Sequence, residues 1–200
     1  MILEHDGKSP QIDPRARIAP NAVISGDVTI GANCSIGFGA VITAESGPVI
    51  LKENVVIMDT AVLRGVRDNP LVLGSNVLVG PRSYLTGCKV EDEVFLATGV
   101  TVFNGAVIGA RSEVRINGIV HLRTHLAPDT TVPLGWIAVG DPARILSPDQ
   151  HDEIWAIQKP LDFPGYVFGV DRPSPGATIM PHIMPRYARA LVKRHQQDEL

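Results

Sequence analysis

Between Leu73 and Val132 an aliphatic residue opens one unit of six after another, and this period constrains the fold more than any other feature of the chain. Read in sixes, the stretch is LGSNVL, VGPRSY, LTGCK, VEDEVF, LATGVT, VFNGAV, IGARSE, VRINGI, VHLRTH and LAPDTT. Each unit begins with Leu, Ile or Val, and the fifth place of every full unit is Val or a small residue. One unit, Leu85 to Lys89, is a residue short. Such a period matches neither helical spacing nor the simple alternation of a half-buried strand. It fits a parallel β-helix, in which each coil buries one slice of a continuous core and is covered by its neighbours.

The same register runs upstream through Ile18, Ile24, Ile30, Ile36 and Ile42, and again through Leu51, Ile57 and Leu63. Its fifth places hold Ala22, Val28, Cys34 and Ala40, then Val55 and Ala61. Large and small residues alternate inward where such a wall bends, and glycine suits the corners. These positions are core, and their task is folding rather than chemistry. Two segments break the register: TAESGPV (43–49) and RGVRDNPLV (64–72). Insertions of this kind protrude from the wall at a fixed height, where repeat proteins tend to carry function.

Residues 1–17, a short strand MILEH and a Pro-rich turn, are expected to cap the first coil, and PLGWIAVGDPARIL (133–146) to close the last. The fold class is therefore all-β, with a β-helix domain over 1–146 and an α-helical appendage over 147–200. Ser147 and Pro148 read as the N-cap and first turn of a helix reaching about Gln158. Residues 161–185, rich in Pro and Gly, are predicted to be extended, with Phe163, Tyr166 and Phe168 packed on something. A basic helix follows from about Arg186 to Gln197, its Arg189, Lys193 and Arg194 forming a solvated face.

A net charge of −3 gives no electrostatic case for nucleic acid or an anionic membrane. No apolar run is long enough to span a bilayer, and MILEHDGKSP has no signal-peptide core, so a cytoplasmic protein is expected. The closing QDEL looks like a retrieval tag but means nothing without a secretory leader. Cys34 and Cys88 are expected to be reduced. His121 and His125 are four apart, but on a β wall that spacing is no zinc signal, and a surface structural role is expected.

Residues 8–146 resemble the left-handed β-helix hexapeptide-repeat proteins, in particular the γ-class carbonic anhydrase family. The resemblance rests on the repeat, on MDTAVLRG (58–65), on VGPRSYLTGCKVEDEVFLATG (79–99) and on GDPARIL (140–146). It implies a left-handed solenoid and a homotrimer, with active sites between subunits where three histidines hold a divalent metal. Neutral imidazoles suit zinc, and an open coordination position lowers the pKa of a bound water. In this chain those three places hold Arg64, Pro81 and Thr86, and no histidine occurs between His5 and His121. Thr43 stands where the family has an arginine, Glu45 lies near its acidic place, and Met58 replaces a glutamine ahead of the shared Asp59.

Zinc-hydroxide chemistry is therefore not expected at this site, and no cofactor is predicted. The replacing set is Asp59, Arg64, Arg67, Arg82, Tyr84 and Thr86, with Asn104 a few units further on. Arginines bind carboxylate or phosphate bidentately, and a tyrosine donates a hydrogen bond or proton. Asp59, Arg64 and Tyr84 are the catalytic candidates, and Arg67, Arg82, Thr86 and Asn104 the ligand-binding ones. The same residues also read as an inter-subunit salt-bridge network. Three functions follow: a metal-independent enzyme or binder for a small carboxylate or acyl anion; an acyltransferase using acyl-CoA; and a non-catalytic trimeric scaffold presenting residues 161–185. The second lacks a histidine base on either insertion.

Overall fold

A side chain buried once per coil must meet its counterpart on the next coil, and in the computed structural model it does. The structure describes residues 1–196 and 198–199. Ile24, Ile42, Leu63, Leu85, Val102, Val120 and Ala138 are successive partners in parallel ladders. Each of the seven is 0% exposed. The fifth places are equally deep, with Ala22, Ala40, Val55, Ala61 and Val100 at 0%. At three of the places that hold a hydroxyl, it is satisfied by a carbonyl of the next coil. Ser83 donates to Ala97 (3.1 Å), Ser112 to Ala127 (3.1 Å) and Thr124 to Ala138 (3.4 Å).

One flat face is a seven-stranded parallel sheet from Arg17–Ile18 to Thr131–Val132. The other two faces merge into a fifteen-stranded sheet, because Val23–Ile30 and Val41–Leu51 run unbroken around the corner between them. The corner is where the period changes. Val23 pairs with Val41, Val41 with Val62, Val62 with Tyr84, Tyr84 with Thr101, Thr101 with Ile119 and Ile119 with Ile137, steps of 18, 21, 22, 17, 18 and 18 residues. Both insertions and the short unit therefore stack on one edge. They stack so closely that a Cβ at Gly65 would lie 2.2 Å from the Gly47 carbonyl oxygen.

The last coil closes as expected, with Ile137–Val139 antiparallel to Arg144–Leu146. Val139, Leu146 and Ile154 make a small second core with Ile137 and Ile157, which seats the first helix, α1 (His151–Gln158). Ser147 does not cap α1. Its Oγ hydrogen-bonds Asp149, and its backbone N–H donates to the Gln150 side chain in a preceding turn, so the helix begins three residues later than predicted.

The tail differs more. Pro164–Phe168 is a wide helical turn, and the second helix, α2, spans Met180–His195, six residues ahead of the predicted start. Pro181 falls in its first turn, where an amide hydrogen has no partner to lose, and Pro185 costs only one hydrogen bond near that end. Gln197, the predicted last residue of this helix, lies outside the described residues. The chain then returns to its beginning. Asp198–Glu199 pair antiparallel with Ile2–His5, itself the first strand of the large sheet. The outer edge of the first strand is thus covered by the C-terminus rather than by residues 1–17 alone. No helix among the described residues is long and apolar enough to cross a membrane.

Candidate functional site

The insertions and the tail meet over a cleft of about 580 Å³. Its floor is the outward face of the wall. Thr86 lies directly beside Arg64 in the ladder, and Tyr84 sits two residues before Thr86 on the same strand. Asn104 and Phe103 occupy the next coil. Its rim is the stacked pair of insertions, joined by the Arg67 backbone N–H donating to Ser46 Oγ at 2.9 Å. Its roof is the tail, contributing Tyr166, Phe168, Ile183, Arg186 and Arg194. Of the seven residues predicted from sequence, Arg64, Arg67, Tyr84, Thr86 and Asn104 line this one cleft.

Asp59 and Arg82 do not join them. Both are exposed and belong to a different corner of the prism. Asp59 Oδ1 accepts the backbone N–H of Phe38 at 2.8 Å, as Asp92 Oδ1 accepts that of Ser75 at 2.8 Å elsewhere. Each ties a turn to the coil before it. Arg82 stands in such a turn in the left-handed region, φ 58°, with its N–H on the Asp59 carbonyl at 3.1 Å. Spacing from an inward aliphatic residue gave these two the same outward direction as Arg64, but not the same face.

At the charged end of the cleft one carboxylate bridges two arginines. Glu45 Oε1 accepts from Arg64, and Glu45 Oε2 accepts from Arg194 Nη1 at 2.7 Å. Arg64 Nη1 also lies 3.5 Å from the Tyr84 hydroxyl. Burial pulls against the Arg64 charge, but Glu45 and Tyr84 outweigh it and leave the guanidinium above its ordinary value, hence fully cationic. The lining carries Arg64, Arg67, Arg186 and Arg194 against Glu45 and Asp68, so the cleft is positive inside a chain that is negative overall. Arg194, expected on a solvated face, thus faces inward onto Glu45, and Arg186 donates to the Phe168 carbonyl at 3.0 Å. Tyr166 closes over the rim, its hydroxyl 3.3 Å from Asn69 and its ring 5.9 Å from the Arg123 guanidinium.

A metal of the kind the family binds does not fit these donors. Arg64 offers a cation, Pro81 no side-chain donor, and Thr86 a neutral hydroxyl. Pro81 lies away from the other two, in a separate apolar groove with Met58, Leu78 and Phe95. Among the described residues no group of three or more His, Cys, Asp or Glu side chains is placed to hold an ion. His125 Nδ1 is 3.7 Å from Asp141, while His121 packs its ring on Phe103 at 5.8 Å with Nδ1 buried and unpartnered. Desolvation holds His121 below the usual imidazole range, so it stays neutral near pH 7. Neither cysteine is a nucleophile: both are free and buried, and desolvation pushes the Cys88 thiol up to about 12.

Two six-residue-repeat models match the chain, the bacterial transferase hexapeptide over residues 9–44 and the hexapeptide repeat of succinyl-transferase over 70–104. A carbonic anhydrase of Geobacillus kaustophilus is 30% identical over 159 residues, 80% of this chain and 84% of that protein. The chain belongs to the γ-carbonic-anhydrase-like hexapeptide-repeat family. Within that family, gamma carbonic anhydrase 1 of Arabidopsis thaliana, a mitochondrial protein, is 32% identical over 153 residues. That match covers 74% of this chain and 54% of the plant protein, so the chain spans about half the length of that relative. Among solved structures, a Bacillus cereus protein, an acetyltransferase by assignment, superposes with a TM-score of 0.65 at 26% identity, covering 80% and 91% of the two chains. Family membership makes the Arg64–Glu45–Arg194 cluster more informative, because Arg64 stands at one of the three positions where the resemblance places a metal ligand.

The sequence reading missed the tail half of this site. Aromatics in residues 161–185 announced packing, and the two insertions announced a functional edge, but nothing local links Arg194 to Glu45 across 149 residues.

Proposed function

We propose that the chain is a metal-independent member of its family whose cleft binds a small carboxylate or acyl anion, and that Tyr84 supplies a proton or hydrogen bond to it. The observation that carries this reading is the cluster Arg64–Glu45–Arg194. Two arginines share one carboxylate in a half-buried cleft whose other cations, Arg67 and Arg186, lack a carboxylate partner among the ion pairs of the described residues. Guanidinium groups are weakly hydrated and present forked donors, so a partly desolvated pair of them selects planar anions. Arg67 is exposed at the mouth and guides the anion in, whereas Arg64 and Arg194 hold it.

A second flank supports an assembly. Met58, Phe95, Ile116 and Leu134 are 39%, 42%, 47% and 60% exposed along one groove of about 350 Å³. An apolar stripe of this kind supports the homotrimer that the family implies.

The test is a thermal-shift screen of carboxylates on protein stripped with chelator, followed by titration of the Arg67→Ala and Arg64→Ala variants. Stabilisation by a carboxylate that survives metal removal and weakens by about tenfold or more in Arg64→Ala is expected. Stabilisation only after zinc is restored would overturn it.

A second reading, acyl transfer from acyl-CoA, is supported by the likeness to the Bacillus cereus protein and by the neutral, unpartnered His121 one coil from Asn104. It requires acyl-CoA to protect the fold where the free acid does not.

A further inference from the structure

The cleft is long as well as charged, and its two ends differ. Arg64, Thr86, Phe103 and Leu122 line it on four successive coils. Adjacent coils are one strand spacing apart, so the four span about 14 Å. The roof runs the same way. From Arg194 back to Ile183, α2 covers about 16 Å at its helical rise. Wall and roof are therefore of similar length. Arg64 faces Arg194 through Glu45 at one end, whereas the rest of the lining is mainly apolar, with Phe103, Leu122, Ile183 and Phe168, and its Arg186 is held by the Phe168 carbonyl. Leu122 is 1% exposed and Ile183 3%, and Phe168 packs edge-on against Tyr187 at 6.0 Å.

A short anion such as bicarbonate or acetate would use only one end. The apolar lining has no role in holding it.

We infer that the cleft takes a carboxylate carrying an extended apolar body, a medium-chain acyl or arylalkyl acid, whose head replaces Glu45 between Arg64 and Arg194 and whose body lies along Phe103 towards Leu122. This rests on the anion-binding reading above and narrows it. Glu45 is an internal stand-in for the ligand head: it shows that the two guanidinium groups donate to one carboxylate, one to each oxygen. A ligand acid competes with it, and burial of the apolar body supplies the advantage that a short acid lacks.

The experiment is calorimetric titration of the full chain with acetate, octanoate, phenylbutyrate and methyl octanoate. Each methylene buried strengthens binding by about fourfold, so octanoate should bind more than about tenfold tighter than acetate even if only part of its chain is covered. Methyl octanoate, without the charge, should bind more than about tenfold more weakly than octanoate. Glu45→Gln, which empties the seat of its own charge, should strengthen octanoate binding severalfold. Phe103→Ala should weaken octanoate and leave acetate unchanged.

Acetate binding as tightly as octanoate would overturn the inference and leave the anion reading standing. Methyl octanoate binding as well as octanoate, or weaker octanoate binding in Glu45→Gln, would overturn the placement of the head. If no carboxylate binds, both readings fall. The chain-length series needs no variant, so misfolding of one cannot hide the answer.

Discussion

The seven-stranded face and the corner between the other two faces are built from the same coils, yet only the corner gathers chemistry. On the flat face the rungs from Arg17 to Thr131 stack with one residue pointing in and one out, and the outward set is as mixed as Ser35, Val56, Phe95 and Glu113. At the corner the coil steps change to 21, 22 and 17 residues, and Glu45, Ser46, Arg64, Arg67, Asn69 and Thr86 come together. An inserted loop makes a ledge, and a ledge with a roof is a site.

The largest effects should come from the regular column. Leu85 is 0% exposed between Leu63 and Val102, so Leu85→Ala leaves a hole that the neighbouring rungs cannot fill. A loss of about 2–5 kcal/mol is expected in urea unfolding, with a single cooperative transition. A loss well under that range would mean the coils behave as separable units.

Next comes the corner itself. A Cβ at Gly65 would meet two backbone oxygens, Gly47 at 2.2 Å and Pro48 at 2.6 Å, and backbone cannot swing away as a side chain does. Gly65→Ala should cost about 1–3 kcal/mol through overpacking and should weaken anion binding as well, since it pushes the insertions apart. Gly135, where a Cβ would meet nothing within 4 Å, has φ 68° and is the control: Gly135→Ala carries backbone strain without crowding, and anion binding should survive it. Equal loss of binding in both variants would show that the corner has no special geometry.

A smaller effect tests whether the tail belongs to the site. Glu45 and Arg194 have side chains 20% and 29% exposed, so their coupling should lie above that of a surface pair, at about 1 kcal/mol in a double-mutant cycle. A coupling of zero would detach the roof from the wall in solution and return the site to the solenoid alone.

Much of the solenoid was legible because a coil is a local object. The inward columns could be followed from Ile18 to Val132 by spacing, and the short unit at Leu85 marked the one coil that steps by 17. The insertions were legible for the same reason, as breaks in that spacing. The faces were harder. Asp59 and Arg82 stand outward like Arg64 but on another corner, and a period of six alone does not say which of three corners a residue occupies. The tail was least legible. Pro181 and Pro185 read as helix breakers, yet α2 contains both, held by contacts such as buried Ile183 that belong to tertiary packing rather than to propensity. The Arg194–Glu45 pair is of the same kind.

The smallest expected effect concerns pH. His121 packs on Phe103 of the cleft floor without itself lining the cleft, and desolvation holds it below the usual imidazole value in the folded chain. Unfolded, it regains its ordinary value near 6.5. Between the two values the unfolded chain binds more protons, so stability rises with pH through that window and is lost as pH falls below about 6.5. His121→Phe keeps an aromatic ring against Phe103 and removes the titration, so the difference in unfolding free energy between wild type and variant should tilt across pH 5–7 in favour of the variant on the acid side. Identical pH profiles would mean that water reaches His121 in solution. The packing behind the cleft floor would then stop at Phe103.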